Sequence, residues 1–170
     1  MTAAPEAVLI AGANGAGKTT FAGEYLSERY PGAVFLNADE IQHEGGEVAH
    51  PVTAGRKLIS RLTELVAERR TFVVETTLSS RNYVRKLRLW NADGYRTSIH
   101  FIEVPSADFA VGRVARRVAA GGHAVPEVDV RRRYERGVTH FLSVYQSLVD
   151  HWYHWRCSNQ GLRIHDSKPH

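Results

Sequence analysis

The sequence feature that most constrains the fold is the run GANGAGKT at residues 12–19, which matches the pattern G-x-x-x-x-G-K-[ST] in full. A continuously apolar run at residues 7–11 precedes it and predicts a buried strand, and residues 18–29 follow as a predicted helix. Glycines in such a turn let several backbone N–H groups point at one phosphate, beside the positive end of the helix. An ordinary glycine turn is the alternative, but it explains neither the Lys-Thr pair nor the flanking elements. We therefore predict a phosphate-binding loop (P-loop).

The loop residues are the first candidates for contacts with a nucleotide. Lys18 is expected to reach the β- and γ-phosphates, and the hydroxyl of Thr19 is the expected ligand of Mg²⁺. The other candidate contacts are Gly12, Ala13, Asn14, Gly15, Ala16, Gly17 and Thr20.

Apolar runs alternate with helical stretches along the rest of the chain. Further strands are predicted at 33–37, 71–75, 97–104 and 162–165. Helices are predicted at 53–70, 81–93, 106–119 and 127–155. This alternation predicts an α/β fold in which a mostly parallel, five-stranded sheet is covered on both faces. We expect residues 1–170 to form one domain, because no linker, repeat or low-complexity segment interrupts them.

Composition excludes several classes of protein. Cys157 is the only cysteine, which excludes a disulfide scaffold. No apolar run approaches the ~20 residues that a membrane-spanning helix needs. Residues 1–6 lack the basic and apolar regions of a signal peptide. We therefore expect a cytoplasmic protein without a membrane partner.

Polar residues at the carboxyl ends of the second and third predicted strands are the next candidates, because open parallel sheets bind ligands there. Asp39 can accept the proton of a substrate hydroxyl that attacks a γ-phosphate, or it can cap a helix that begins at Glu40. Glu75 can order Mg²⁺ through water or bind a substrate hydroxyl, and Thr77 can donate to a substrate. For Glu75 and Thr77 the alternative is a solvated carboxylate and a strand-end cap.

Positive charge is concentrated late in the chain, since seven arginines and three carboxylates lie in residues 113–136. A basic helix–loop–helix here predicts a mobile lid whose arginines stabilise a transferring phosphoryl group. Arg113 and Arg117 can share one helix face, whereas Arg116 cannot join them. Two solvated helix faces are the alternative. A nucleic-acid partner is disfavoured, because Tyr134 is the only aromatic residue in this stretch.

In these motifs and in their order, the chain resembles the zeta-toxin family of P-loop kinases. The matching segments are AGANGAGKTT (11–20), NADEI (37–41), AGR (54–56), FVVETTLS (72–79), RV (113–114), RV (117–118), GGHAVPE (121–127) and RRY (132–134). The P-loop is common to many families, whereas the NAD and GGHxVPE segments are much more specific.

The resemblance implies the three-layer α/β/α fold of P-loop NTPases, with an arginine-rich helical lid at about 106–135. It also implies a kinase that uses ATP or GTP with Mg²⁺, whose better-studied relatives phosphorylate the 3′-hydroxyl of UDP-N-acetylglucosamine. Family members that are toxins are neutralised by a small helical antitoxin, which is therefore a candidate partner beside the small-molecule substrate.

The resemblance also assigns roles to residues by position. Lys18 and Arg113 bind the phosphates of the nucleotide, and Asp39 is the general base. Glu75 and Thr77 contact the substrate. The remaining implied contacts are Arg117 to the nucleotide, and Arg56 and His123 to the substrate.

The chain departs from the longer zeta toxins at two positions. Ser79 stands where they have an Arg, and His123 aligns with a second phosphate-binding Arg. These differences are typical of a compact branch of the family, whose acceptor need not be a UDP-sugar. The alternative functions are a slow ATPase that acts as a switch through its lid, and a kinase for another metabolite or for nucleic acid.

Overall fold

A six-stranded sheet forms the centre of the structure, a computed structural model that describes residues 4–38, 41, 51–158 and 161–168. The strands are β1 (Glu6–Ala11), β2 (Val34–Asn37), β3 (Phe72–Thr76), β4 (Arg96–Glu103), β5 (His151–Ser158) and β6 (Gly161–Lys168). Their order across the sheet is β2-β3-β1-β4-β5-β6. Neighbouring strands are parallel except for β5 and β6, which are antiparallel. The predicted α/β class is confirmed, with six strands instead of five.

Helices connect the strands. The described ones are α1 (Lys18–Phe21), the π-helical turn π1 (Ala22–Leu26), α2 (Ser27–Arg29), α3 (Pro51–Ala67), α4 (Val84–Ala92), α5 (Ala107–Ala119), α6 (Glu127–His140) and a second π-helical turn, π2 (Phe141–Tyr145). The predicted helix over 18–29 is present, although its middle is π-helical. No helix within the described ranges is long and apolar enough to cross a membrane.

The central strand β1 is buried on both faces, which explains why its sequence is continuously apolar. Residues 7–11 are 0% exposed. Leu9 belongs to the core cluster that α3 and α4 complete, whereas Ile10 belongs to the cluster that α1 and α5 complete. Successive side chains of a strand point to opposite faces, so both faces of the sheet are covered by helices.

The prediction of one helix over residues 127–155 is wrong. α6 ends at His140, and residues 151–158 form β5, which pairs in parallel with β4. Neither Gly nor Pro occurs between 138 and 158, so no helix breaker marks the change. The aromatic sequence HWYHW at 151–155 favours a strand. Asp150 fixes the start of β5, because its Oδ2 accepts hydrogen bonds from the backbone N–H and the hydroxyl of Thr97 at 2.8 and 3.1 Å.

The parallel strands bring their carboxyl ends to one side of the sheet. β3 lies between β1 and β2, so the ends of these three strands are adjacent. In this register Asn37 is opposite Glu75, and Ala11 is opposite Thr76. The P-loop that follows β1 therefore lies beside the polar residues that end β2 and β3.

Candidate active site

The P-loop packs too tightly against β4 and α5 to allow side chains at two of its glycines. Gly12 has φ +146°, and a Cβ there would lie 2.5 Å from the carbonyl oxygen of Ile102. Gly15 has φ +80°, and a Cβ there would lie 2.7 Å from the carbonyl oxygen of Ala110. Both values of φ favour glycine, which has no Cβ to clash. The sequence pattern thus has a steric cause in this fold.

The side chain of Lys18 is buried and bends back towards the P-loop. Its Nζ donates hydrogen bonds to the carbonyl oxygens of Gly12 and Ala13, each at 3.0 Å, and lies 3.6 Å from Oε1 of Glu75. The ammonium group is therefore held between the P-loop and the end of β3, where the terminal phosphates of a bound nucleotide are expected.

The carboxylate of Glu75 on β3 contacts residues of both β2 and α1. Oε2 accepts one hydrogen bond from the hydroxyl of Thr19 at 2.9 Å and another from the side-chain amide of Asn37 at 3.1 Å. Since Oε1 faces Lys18, the carboxylate has neighbours on both oxygens and a fixed orientation. Asn37 is thus a site residue that its place in the NAD motif alone did not reveal.

The oxygen atoms around Lys18 fit a magnesium site of the kind that nucleotide phosphates complete. Thr19 and Glu75 supply a hydroxyl and a carboxylate, the hard oxygen ligands that Mg²⁺ prefers. No group of three or more His, Cys, Asp or Glu side chains that could hold a metal occurs among the described residues.

Three arginines of α5 and α6, the helices predicted to form a lid, line the same cavity, whose volume is about 490 Å³. Arg113 and Arg117 come from α5, one helical turn apart as predicted, and Arg133 comes from α6. Nη2 of Arg113 lies 3.4 Å from the position that a Cβ at Gly17 would occupy. Nη2 of Arg117 donates to the carbonyl oxygen of His123 at 3.1 Å.

Arg133 is the functional candidate that the sequence analysis missed. Its Nη1 donates a hydrogen bond to Oδ1 of Asn14 in the P-loop at 3.0 Å. The two preceding arginines are instead paired with carboxylates: Arg131 with Asp108 and Glu127, and Arg132 with Asp129. Sequence spacing alone does not single out Arg133, because Asp129 stands three residues before Arg132 and four before Arg133, and both spacings allow a pair.

The remaining predicted site residues are divided between the cavity and the surface. Thr20 and Thr77 line the cavity, and the hydroxyl of Thr77 lies 2.9 Å from that of Ser79. Ala16 is held in the loop turn by a 3.1 Å hydrogen bond from its N–H to the carbonyl oxygen of Ala13. Arg56 and His123 are exposed and do not line the cavity. Asp39 lies outside the described residues.

The fold and this cavity define the P-loop nucleotide-binding class. More narrowly, the family model for zeta toxin matches residues 1–153, and the chain belongs to the zeta toxin family. Family membership, together with the fold, supports a nucleotide-dependent kinase.

Similar proteins support the same fold. An uncharacterized protein of Haemophilus influenzae is 26% identical over 135 residues, which span 76% of this chain and 92% of that protein. The structure of the PezAT chromosomal toxin–antitoxin system of Streptococcus pneumoniae matches with a TM-score of 0.73 at 16% identity, over 98% of this chain and 72% of that one. The structure of AvrRxo1-ORF1:-ORF2 with ATP matches with a TM-score of 0.74 at 14% identity, over 96% of this chain and 58% of that one.

Proposed function

We propose that this protein is a kinase that transfers the γ-phosphoryl group of ATP or GTP to a hydroxyl group of a small molecule. One observation carries the proposal: the ammonium of Lys18, the carboxylate of Glu75 and three lid arginines line a single cavity at the carboxyl end of the sheet. Such a site concentrates positive charge where a phosphoryl group carries its charge during transfer.

The phosphate donor is bound by the P-loop and the lid. The backbone N–H groups of the loop and Lys18 hold the β- and γ-phosphates, and Arg113, Arg117 and Arg133 neutralise the transferring group. Thr19, with Glu75 acting through water, holds Mg²⁺, which when bound offsets the charge of the phosphate oxygens.

In the transfer step, the acceptor oxygen bonds to the γ-phosphorus while the bond from that phosphorus to the bridging oxygen of the nucleotide breaks. The proton of the acceptor hydroxyl passes to the carboxylate of Asp39, the general base. Asp39 follows β2 by two residues, and Asn37 at the end of β2 already contacts Glu75. Thr77 and Glu75 position the acceptor.

UDP-N-acetylglucosamine, the acceptor of better-studied relatives of the family, is the first compound to test. A small helical antitoxin is the corresponding candidate partner, which the likeness to the PezAT toxin–antitoxin system supports. The likeness to a structure solved with ATP supports ATP as the donor.

The test is incubation of the protein with ATP, Mg²⁺ and acceptor, followed by mass spectrometry for a product heavier by one phosphoryl group. Lys18→Ala should weaken both nucleotide binding and turnover. Asp39→Asn should retain binding and lose about 10²–10⁴-fold in rate. Lys57→Ala, which removes an exposed lysine outside the cavity, should behave as wild type. ATP turnover without any phosphorylated acceptor would contradict the proposal and favour the switch alternative.

A further inference from the structure

One face of α6 contacts two of the segments that border the cavity. Arg133, Gly137 and His140 follow one another at spacings of four and three residues, so they lie in a row along the helix. Arg133 bonds to Asn14 of the P-loop. The other two residues contact the segment 77–80, which follows β3 and is called the β3 loop here. The same helix therefore supports the P-loop and the β3 loop.

The β3 loop forms part of the cavity wall. Thr77, Ser79 and Ser80 line the cavity, and the hydroxyls of Thr77 and Ser79 lie 2.9 Å apart. A pair of hydroxyls can present both a donor and an acceptor of hydrogen bonds to a ligand hydroxyl. The position of the β3 loop therefore determines where these two groups meet a ligand.

Leu78, within the β3 loop, has an unfavourable backbone conformation. Its φ of +52° lies in the left-handed region, which residues with a Cβ rarely adopt. The side chain is 1% exposed, and the backbone N–H donates to the hydroxyl oxygen of Thr76 at 3.1 Å. Such a conformation persists only where the surrounding contacts outweigh its cost. The contacts around Leu78 therefore hold the loop against its own conformational preference.

Two side chains from α6 and π2 bond to carbonyl groups of the β3 loop. Nδ1 of His140 donates a hydrogen bond to the carbonyl oxygen of Leu78 at 2.9 Å, and it carries the ring proton because a carbonyl oxygen only accepts. The hydroxyl of Tyr145 donates to the carbonyl oxygen of Ser80 at 2.8 Å. The loop is thus held on both sides of Ser79.

Gly137 allows α6 to approach the β3 loop closely. A Cβ at this position would lie 2.7 Å from the carbonyl oxygen of Thr77. One helical turn later, the buried ring of Phe141 stacks on Phe101 of β4, with ring centroids 4.4 Å apart. The end of α6 is therefore anchored in the core, which makes it a rigid support for the loop.

We propose that His140 and Tyr145 are positioning residues, which hold the β3 loop so that Thr77 and Ser79 meet the phosphoryl acceptor. The inference rests on the proposed kinase function and extends it to two residues that do not line the cavity. They act on a ligand there through the loop. When either hydrogen bond is lost, Leu78 can relax towards a common backbone conformation and displace the neighbouring hydroxyls.

The first test uses the acceptor that the wild-type protein phosphorylates, found by mass spectrometry among UDP-N-acetylglucosamine and the compounds of a small-molecule cell extract. His140→Ala and Tyr145→Phe should each lower kcat/KM for this acceptor by about tenfold, mainly by raising KM, because one hydrogen bond that positions the loop is lost. The affinity for ATP should stay near the wild-type value. His140→Asn should recover most of the loss, since its amide NH₂ can donate from nearly the position of Nδ1.

Tyr95→Phe is the matched control for general destabilisation. Tyr95 is 3% exposed, and its hydroxyl donates to the carbonyl oxygens of Leu65 and Arg70 at 3.2 and 3.1 Å, outside the cavity lining. This variant should lose stability and keep the wild-type KM for the acceptor. A rise in KM equal to that of Tyr145→Phe would assign the effect to stability and overturn the inference.

A second test observes the loop without an acceptor. Exchange of the Leu78 amide proton is followed by NMR spectroscopy, with Mg²⁺ and the non-hydrolysable analogue AMP-PNP bound. His140→Ala and Tyr145→Phe should speed this exchange by about tenfold, because the loop opens more often, and should leave exchange of the Val74 amide in β3 unchanged.

The two tests separate the inference from the function on which it rests. Unchanged exchange at Leu78 in both variants would overturn the inference and leave the kinase function intact. Transfer to no compound by wild-type protein that binds ATP would overturn the proposed function and the inference with it.

Discussion

Arg133 on α6 donates a hydrogen bond from Nη1 to Oδ1 of Asn14 in the P-loop, at a distance of 3.0 Å and across 119 positions of sequence. This bond connects α6 to the phosphate-binding loop. It also places a guanidinium, which can form paired hydrogen bonds with phosphate, at the wall of the nucleotide site. A bound triphosphate offers Arg133 stronger, charged acceptors than the neutral amide of Asn14.

Arg133→Ala should therefore weaken ATP binding by about tenfold or more, because a charge-assisted contact is lost. Arg133→Lys should recover part of the loss, since lysine keeps the charge but not the paired geometry. Isothermal titration calorimetry with ATP and with ADP measures both effects. Arg132→Ala is the control, because Arg132 is half-exposed and paired with Asp129; an equal loss in that variant would argue for a general effect of lid charge.

Glu75→Gln should lower kcat by about 10- to 100-fold while ATP affinity changes much less. The amide can still accept from Thr19 and Asn37, but its NH₂ group then faces the ammonium of Lys18, and two donors repel each other. The change is measured by steady-state kinetics with an acceptor that the wild-type protein phosphorylates. Glu64→Gln removes an exposed carboxylate that pairs with Arg61 on α3, and it should leave kcat unaltered. Unchanged kcat in Glu75→Gln would limit Glu75 to a structural role.

Gly12→Ala should destabilise the fold by about 1–3 kcal/mol, because the new Cβ would collide with the carbonyl oxygen of Ile102 and the residue would keep an unfavourable φ. Gly112→Ala should instead stabilise by about 0.5–1 kcal/mol, since a Cβ in that position of α5 meets nothing within 4 Å. Urea denaturation of both variants measures the difference. Equal stabilities would show that the loop relaxes away from β4.

His100 on β4 is 0% exposed and lies within the aromatic core between the sheet and α1. Nδ1 accepts a hydrogen bond from the indole N–H of Trp155 at 3.2 Å, so Nε2 carries the proton of the neutral ring. Protonation of Nδ1 would place its N–H opposite the indole N–H of Trp155, so two donors would face each other without an acceptor. Burial is the main cause that lowers the pKa of His100 from 6.5 to about 3.

The free energy of unfolding should therefore fall as the pH decreases from about 6.5 towards 3. In this window the unfolded chain binds a proton at His100 and the folded chain does not, which costs up to about 1.4 kcal/mol per pH unit. His100→Gln keeps a hydrogen-bond acceptor and removes the titration, so it should flatten the pH dependence. Denaturant melts at pH 7, 6, 5 and 4 measure the slope. A slope as steep in His100→Gln as in the wild type would assign the effect to other groups.

Local sequence patterns were sufficient to predict those elements whose residues favour a single type of secondary structure. The apolar run at 7–11, the glycine loop and the helix that follows occur where the sequence indicated them. The end of α6 was not predictable in this way, because apolar residues at helical spacing continue to Val149 and only tertiary pairing with β4 makes residues 151–158 a strand. The choice between helix and strand there depends on a neighbour that is distant in sequence.

The same limit applies to the site. That Lys18 and Thr19 line the cavity could be predicted from the motif, because the motif itself forms most of their surroundings. Glu75 and Asn37 meet only because β3 lies between β1 and β2, an order that no local pattern encodes. Arg133 required knowledge of which face of α6 meets the P-loop.

The β6 strand forms one edge of the sheet and carries features that disfavour pairing with another chain. A terminal strand exposes a row of unpaired backbone groups, with which another chain can pair and start aggregation. The exposed side chains of β6 include Arg163, Asp166 and Lys168, whose charges oppose such pairing. Without β6 the edge would be β5, whose aromatic sequence would favour pairing with another chain. The antiparallel strand β6 thus lowers the tendency to aggregate, whereas the carboxyl ends of the parallel strands form the cavity.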